Sequence, residues 1–381
     1  VLAFCFILFS GTAVMAADVT QAQVNAAVLG GQNYLKAQQQ PGGYWQAYGY
    51  PVAETAAALI ALLETGVPRT DPVVVAGINY IKSQVRANGS IFGGTSYAVN
   101  YETGLSLVAL DLYNDPAAAV KLIAENAMNF LISGQNRGNE ADTYYGGWRY
   151  YFPPGGDSDL SVTQFVVMGL YYGSHYRGIS VAGQVWVAPL KKFLQRAAVP
   201  GGGFSYTPGG GTYYSMTGAG FWCSAMAGLE ADPVIAPLLN SAKAWFNTNY
   251  GWDQDAYYIY AMAKGLAAAV GTETLIGVHN WVQDLKNMLV DPANGKIQTA
   301  AARDTQNYWD MGYDRILSTA WVLTNLAFAD PNTPSPNKRI ADELDNPIKG
   351  TVTLSTQNGV LIAGAIRQPI ANAQKGITVK L

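Results

Sequence analysis

A two-part unit recurs along this chain, and it limits the possible folds more than any other feature. Each unit has a helix ending near Gln or Lys, a Gly-rich turn with an aromatic residue, and a second helix rich in Ala and Leu. The first unit runs "AAVLGGQNYLKAQQQPGGYWQAYGYPVAETAAALIALLETG", and later turns read "YYGGWRYY" and "VPGGGFSY". Thr55, Thr103, Thr163 and Thr319 each precede a leucine by seven residues, at Leu62, Leu110, Leu170 and Leu326. Once the fourth and fifth units are counted, the period is about 50–60 residues. Apolar residues in the second helices recur at helical spacing. Many are small, such as Ala56, Ala57, Ala58, Gly104 and Gly220, so backbones can approach closely. A helix pair that buries one face against its neighbours must stack into a solenoid or close into a ring. Six pairs in 381 residues favour the ring. The predicted fold class is therefore all-α, an (α/α)6 toroid over residues 18–330, with a short C-terminal β tail.

The two ends read differently. "VLAFCFILFSGTAVMA" is an apolar run followed by small residues, which predicts a signal peptide over residues 1–16, truncated at its start. The run is too short to span a bilayer, so no transmembrane span is expected, and the protein is expected to be secreted or periplasmic. Cys5 would leave with that segment. Cys223 then stands alone as a small core residue. Past Asp330, "PNTPSPNKR" opens a linker over residues 331–349. Residues 350–381 read as a β-strand tail, with Asn358-Gly359 as a hairpin turn.

Hydrophobic residues make up 49% of the chain and charged residues 13%, enough for a large core. The net charge is -3 and no basic run appears, which argues against a nucleic-acid partner. No phosphate-cradling Gly-Lys motif is present, and no cofactor is expected. The sequence names no protein partner.

The turns "PGGYW", "YGGWRY" and "PGGGFSY", with the helix starts "ET", "LSVTQ" and "SMTGAG", resemble the terpenoid cyclase and protein prenyltransferase superfamily, including squalene–hopene cyclase-like repeats. The resemblance spans Gln21 to Asp330 and extends to exported bacterial repeat proteins. It implies a helical toroid with its chemistry at the mouth where the inner helices start. Hopene-type cyclases carry a D-x-D-D acid motif. Asp157-Ser158-Asp159-Leu160 aligns with it, which implies Asp159 as the acid with Asp157 beside it, but Leu160 replaces the last Asp. Zinc-dependent prenyltransferases use Asp, Cys and His. Asp255 matches the first, whereas Tyr257 and Leu317 stand in place of the others, so no metal is expected.

Near the inner-helix starts lie Glu54, Glu102, Asp157, Asp159, Asp253, Asp255 and Asp314, and around them Tyr44, Trp45, Trp148, Tyr150, Tyr213, Tyr214, Trp252, Tyr257 and Trp309. Asp159 and Asp157 are the catalytic candidates. Glu54, Glu102, Trp148, Tyr213, Tyr214, Trp252, Asp255, Tyr257 and Trp309 are the ligand-binding candidates. The competing structural reading makes the acids helix caps, with Ser161 to Gln164 as a capping box, and the aromatics packing between repeats. Three functions stay open: an exported, non-catalytic ligand-binding or scaffold toroid; an isoprenoid cyclase or transferase using Asp159; or a secreted glycan-active hydrolase or lyase. The ligand expected is accordingly isoprenoid-like or a glycan.

Overall fold

The computed structural model describes residues 18–252, 255–270, 275–290, 308–329, 354–357 and 360–363. Residues 1–16, expected as a signal peptide, Asp253, residues 331–349, expected as a linker, and Asn358-Gly359, expected as a hairpin turn, lie outside the described residues. Twelve α-helices occur among those described. They are α1 (Gln21–Ala37), α2 (Pro51–Glu64), α3 (Pro72–Ser83), α4 (Val99–Tyr113), α5 (Ala118–Ser133), α6 (Leu160–Arg177), α7 (Val187–Ala197), α8 (Tyr214–Met226), α9 (Ile235–Thr248), α10 (Ala256–Val270), α11 (Trp281–Val290) and α12 (Arg315–Phe328).

The even-numbered helices form the inner ring. Each packs on the next, from α2 through α4, α6, α8 and α10 to α12, and α12 packs back on α2. The ring is closed, as the repeat predicts. The odd-numbered helices lie outside it: α3 against α2 and α4, α5 against α4 and α6, and α1 against α12 and α2. The inner helices are buried nearly all round, so their apolar residues are not confined to one face and their polar residues are buried with them.

Glycines set two of the inner crossings. A Cβ on Gly169 of α6 would stand 2.6 Å from Gly104 Cα of α4. One on Gly265 of α10 would stand 2.2 Å from Gly218 O of α8. The backbones touch there, so no side chain fits.

The repeated threonine has a single structural job. Thr55 Oγ1 accepts the backbone N–H of Trp45 at 3.0 Å, Thr103 that of Ile91 at 3.0 Å and Thr163 that of Trp148 at 3.1 Å. Thr217 does the same for Phe204 at 3.1 Å, and Thr319 for Trp309 at 3.0 Å. Five of the six inner helices, all but α10, thereby fix the turn that leads into them, and a buried N–H is satisfied each time. On the outside, Asp71 caps α3 and pairs with Lys36 at the end of α1 at 2.6 Å. Asp232 pairs with Lys191 of α7 at 2.7 Å in the same way.

Strands are short. β1 (Phe204–Ser205) pairs with β2 (Thr212–Tyr213), and β3 (Leu275–Ile276) with β4 (His279–Asn280). In the C-terminal tail β5 (Leu354–Gln357) and β6 (Val360–Ala363) pair antiparallel, with Gln357 opposite Val360. Among the described residues no helix is long and apolar enough to cross a membrane.

Candidate functional site

A cavity of about 400 Å³ opens where the inner helices begin. Ala53 and Glu54 of α2, Tyr101 and Leu105 of α4, Ser161 of α6, Tyr257 of α10, and Leu317 and Trp321 of α12 line it. All lie in the first two turns of their helices. The residue two before the repeat threonine therefore faces the cavity in four units, as Ala53, Tyr101, Ser161 and Leu317. The loops add Tyr48, Tyr50, Tyr97, Tyr150, Tyr206 and Tyr313.

The wall is a stack of rings. Tyr150 lies between Tyr97, with centroids 5.7 Å apart, and Tyr101, at 6.0 Å. Its hydroxyl meets that of Tyr206 at 3.0 Å. The floor is aromatic as well. Trp321 stacks on Tyr260 at 6.0 Å, and Tyr101 lies 4.1 Å from Phe165. Such rings offer both apolar faces and hydroxyl edges.

Gln164 and Ser161 correct the capping box expected from the sequence. Gln164 Nε2 donates across the ring to Tyr257 Oη at 2.7 Å, and Tyr257 donates to Ser161 Oγ at 2.7 Å. The N-cap of α6 is Asp159, whose Oδ1 accepts from Val162 N–H at 2.7 Å. A carboxylate two residues upstream already satisfies that donor. Ser161 and Gln164 are left free to face inward.

Both oxygens of Asp159 are engaged, because the Arg149 guanidinium donates to Oδ2. The side chain is fully buried. Burial pushes its carboxyl up to about 6, against the pull of Val162 N–H and Arg149. The Arg149 guanidinium at Oδ2 makes this an ion pair, which favours the charged form. Asp157 accepts from Tyr151 Oη at 2.7 Å and pairs with Arg149 Nε at 3.1 Å. Neither acid lines the cavity.

Glu54 lines the cavity, yet its carboxylate is held by the loop. Tyr48 N–H donates to it at 2.7 Å, and Ala47 N–H donates as well. Glu102 is fully buried behind it and accepts from Gly93 N–H at 3.1 Å. Burial pushes Glu102 up to about 7, against backbone N–H donors and with the Glu54 charge adding to the rise. Ser318 fills the same place in the last unit, where its Oγ accepts from Met311 N–H at 3.1 Å. Ala47, Gly93 and Met311 each stand two residues after the turn residue that the threonine holds. A serine does this job as well as a glutamate, which marks the position as a loop clamp. Asp255 caps α10 through Tyr258 N–H at 2.8 Å. Asp314 caps α12 through Ile316 N–H at 2.7 Å.

The predicted aromatics divide. Tyr257 lines the cavity. Trp148 and Trp309 are fully buried between helices, their indole N–H groups donating to Leu131 O at 2.7 Å and Leu289 O at 2.9 Å. Tyr213 is exposed, and Tyr214 packs on Trp245 at 4.9 Å. Trp252 Nε1 donates to Tyr250 Oη at 3.1 Å. None of these five lines the cavity. Sequence reasoning missed Tyr101, Tyr206, Tyr313 and Trp321, and also Arg149. Among the described residues no group of three or more His, Cys, Asp or Glu is placed to hold a metal ion.

The chain has the helical toroid of terpene cyclases and protein prenyltransferases. It is similar to Candida albicans protein geranylgeranyltransferase-I complexed with GGPP, with a TM-score of 0.55 and 14% identity over 83% of this chain and 98% of that one. It is also similar to a variant of the type II terpene cyclase MstE from Scytonema in complex with geranylgeranyl dihydroxybenzoate, at 0.51 and 13% over 81% and 97%. A second variant of that cyclase, in complex with merosterolic acid A, gives 0.50 and 14% over 81% and 97%. No protein-family model and no curated protein sequence matches the chain. At these identities the likeness is one of fold.

Proposed function

We propose that this protein is a ligand-binding toroid without chemistry of its own, and that its tyrosine-lined mouth takes an apolar, isoprenoid-like molecule. The observation that carries this reading is the engagement of Asp159. One oxygen holds Arg149 and the other caps α6. Protonating an alkene needs a neutral, strongly acidic carboxyl aimed into the cavity. Asp159 is committed to Arg149 and to the cap of α6, and it does not line the cavity, so it is not aimed at a ligand.

The cavity itself supports binding. Its volume lies within the range of about 300–1,000 Å³ common for small-molecule sites. Glu54 is the one charged residue lining it among the described residues, and the loop already holds its carboxylate. A glycan-cleaving site would need a second carboxyl across the cavity. The similar toroids were seen with geranylgeranyl dihydroxybenzoate and GGPP, and the same apolar class suits these aromatic walls. We place the protein outside the cytoplasm, on the apolar N-terminal run followed by small residues.

Geranylgeraniol and squalene test the reading. Titration into the purified protein should quench Trp321 and the mouth tyrosines at micromolar ligand. Gas chromatography after long incubation should recover each compound unchanged. A cyclised product that disappears in Asp159→Asn would overturn the proposal.

A further inference from the structure

Beneath the aromatic floor of the cavity lie three polar groups without hydrogen-bond partners among the described residues. Lys264 Nζ, Trp222 Nε1 and both polar atoms of the Asn325 amide are buried and find no hydrogen-bond partner among the described residues. Lys264 and Asn325 are fully buried, and Trp222 is 3% exposed. Unpaired buried donors are rare in folded proteins and call for an explanation.

Their positions converge. Tyr260 of α10 stacks on Trp321 of α12 at 6.0 Å. Lys264 and Asn325 stand four residues further along these neighbouring helices, one turn deeper at the same level. Trp222 of α8 closes the group, with the ammonium 5.1 Å from its ring. It also meets Phe328, three residues beyond Asn325, at 6.4 Å. Phe165 and Tyr260 complete the cage around the ammonium, each 4.9 Å away.

We infer that Lys264, Trp222 and Asn325 form an interior site for the carboxylate of an apolar acid, whose chain rises past Trp321 into the tyrosine-lined mouth. The ammonium, indole N–H and amide N–H can donate to one acceptor group. One positive charge matches one carboxylate, whereas a dianion would leave charge unbalanced among rings. Trp321, Tyr260 and Phe165 separate the mouth from this site, so entry of the acid requires these side chains to move. The inference rests on the mouth being a ligand site and names the class of ligand.

Proton linkage gives it a second handle. Burial holds the Lys264 amine down to about 7. Cys223 of α8 is itself pushed up to about 12 by burial. The other titratable groups nearby are Tyr260 on α10, Glu64 of α2, which acts on Tyr260, and Tyr172 of α6, which senses both. From α12 the group beside the lysine is the neutral Asn325 amide. A carboxylate bound at the amine favours the ammonium, so binding above neutral pH takes up a proton.

The probes are geranylgeranoic acid and geranylgeraniol, titrated calorimetrically into the full chain at pH 8 in two buffers of different ionisation enthalpy. The acid should bind at least tenfold more tightly than the alcohol, with uptake of close to one proton. Lys264→Met and Asn325→Leu should each bring the acid-to-alcohol ratio down toward one. Both replacements are apolar and suit a buried site, and circular dichroism checks the fold. Equal affinity for acid and alcohol in the wild type, or an unchanged ratio in both variants, overturns the interior site and assigns the three groups to buried water. Alcohol binding in that case leaves the mouth reading standing. Failure of both probes removes the two readings together.

Discussion

The hydroxyl of Thr163 accepts the backbone N–H of Trp148 at 3.1 Å, and the indole of that tryptophan donates to Leu131 O of the outer helix at 2.7 Å. One residue thus ties an inner helix, a turn and an outer helix together. Thr55 with Trp45 and Leu35, and Thr319 with Trp309 and Leu289, repeat the same arrangement. Thr163→Val keeps the shape but removes the acceptor. The Trp148 N–H would then be buried without a partner, at a cost of about 1–3 kcal/mol. Urea denaturation should show that loss. Thr163→Ser, which restores the acceptor, should recover most of it. Equal stability of the valine variant and the wild type would contradict the role.

The glycine crossings predict a steep local effect. In Gly169→Ala the new methyl would meet Gly104 backbone atoms at 2.6 and 2.7 Å. Backbone cannot give way as a flexible side chain can, so α4 and α6 must separate. Overpacking of this kind costs about 1–3 kcal/mol. Gly138→Ala serves as the control, because nothing lies within 4 Å of the added carbon. Thermal unfolding should separate the two by several degrees. Matching midpoints would show that the helices part without strain.

Arg149 and Asp159 predict a change in pH dependence. The Asp159 carboxyl is raised by burial from 3.8 to about 6. Between those values the folded chain holds a proton that the unfolded chain has released, so this group's contribution to stability falls as pH rises from about 4 to 6. Arg149→Met removes the partner that favours the carboxylate. The folded carboxyl should rise further, and the decline should extend to higher pH. Loss of the partner should cost up to about 3 kcal/mol at neutral pH. Arg149→Met with Asp159→Asn should recover part of that loss. Unfolding curves from pH 4 to 8 read both effects, and an Arg149→Met profile parallel to the wild type would refute them.

The toroid was legible because its signals are local and repeated. Thr55, Thr103, Thr163 and Thr319 keep one distance from their leucines since each occupies the same turn of an inner helix. The direction of an aromatic after a tight turn carries no such signal. Trp148 and Tyr150 follow the same Gly-Gly turn two residues apart, yet Trp148 is buried between helices and Tyr150 lines the mouth. Tyr101, Ser161 and Leu317 share the place two before the threonine. That register marks the lining once the threonine's partner is known. Asp159 read as an acid motif because the sequence does not reveal Arg149 folding back onto it. Lys264 stood in view as the single charge in "YYIYAMAKGLAAAV", but only the closed ring shows that every face of α10 at that level is covered.

Lys264 itself predicts that the wild type becomes more stable as pH rises above neutral. Burial lowers its amine from 10.5 to about 7 in the folded chain. Between those values the unfolded chain holds a proton that the folded chain lacks, so stability increases with pH across this window. Below about 7 both states are protonated and the penalty is complete. Lys264→Met abolishes the term and fills the cage with an apolar side chain of similar length. The variant should exceed the wild type by about 3–5 kcal/mol at pH 6.5, and the gap should close by pH 10. Denaturation in urea at pH 6.5, 8 and 9.5 measures it on unliganded protein. Curves for wild type and variant that stay parallel across the three values would mean that the ammonium finds a partner in the folded chain and keeps its ordinary affinity for the proton.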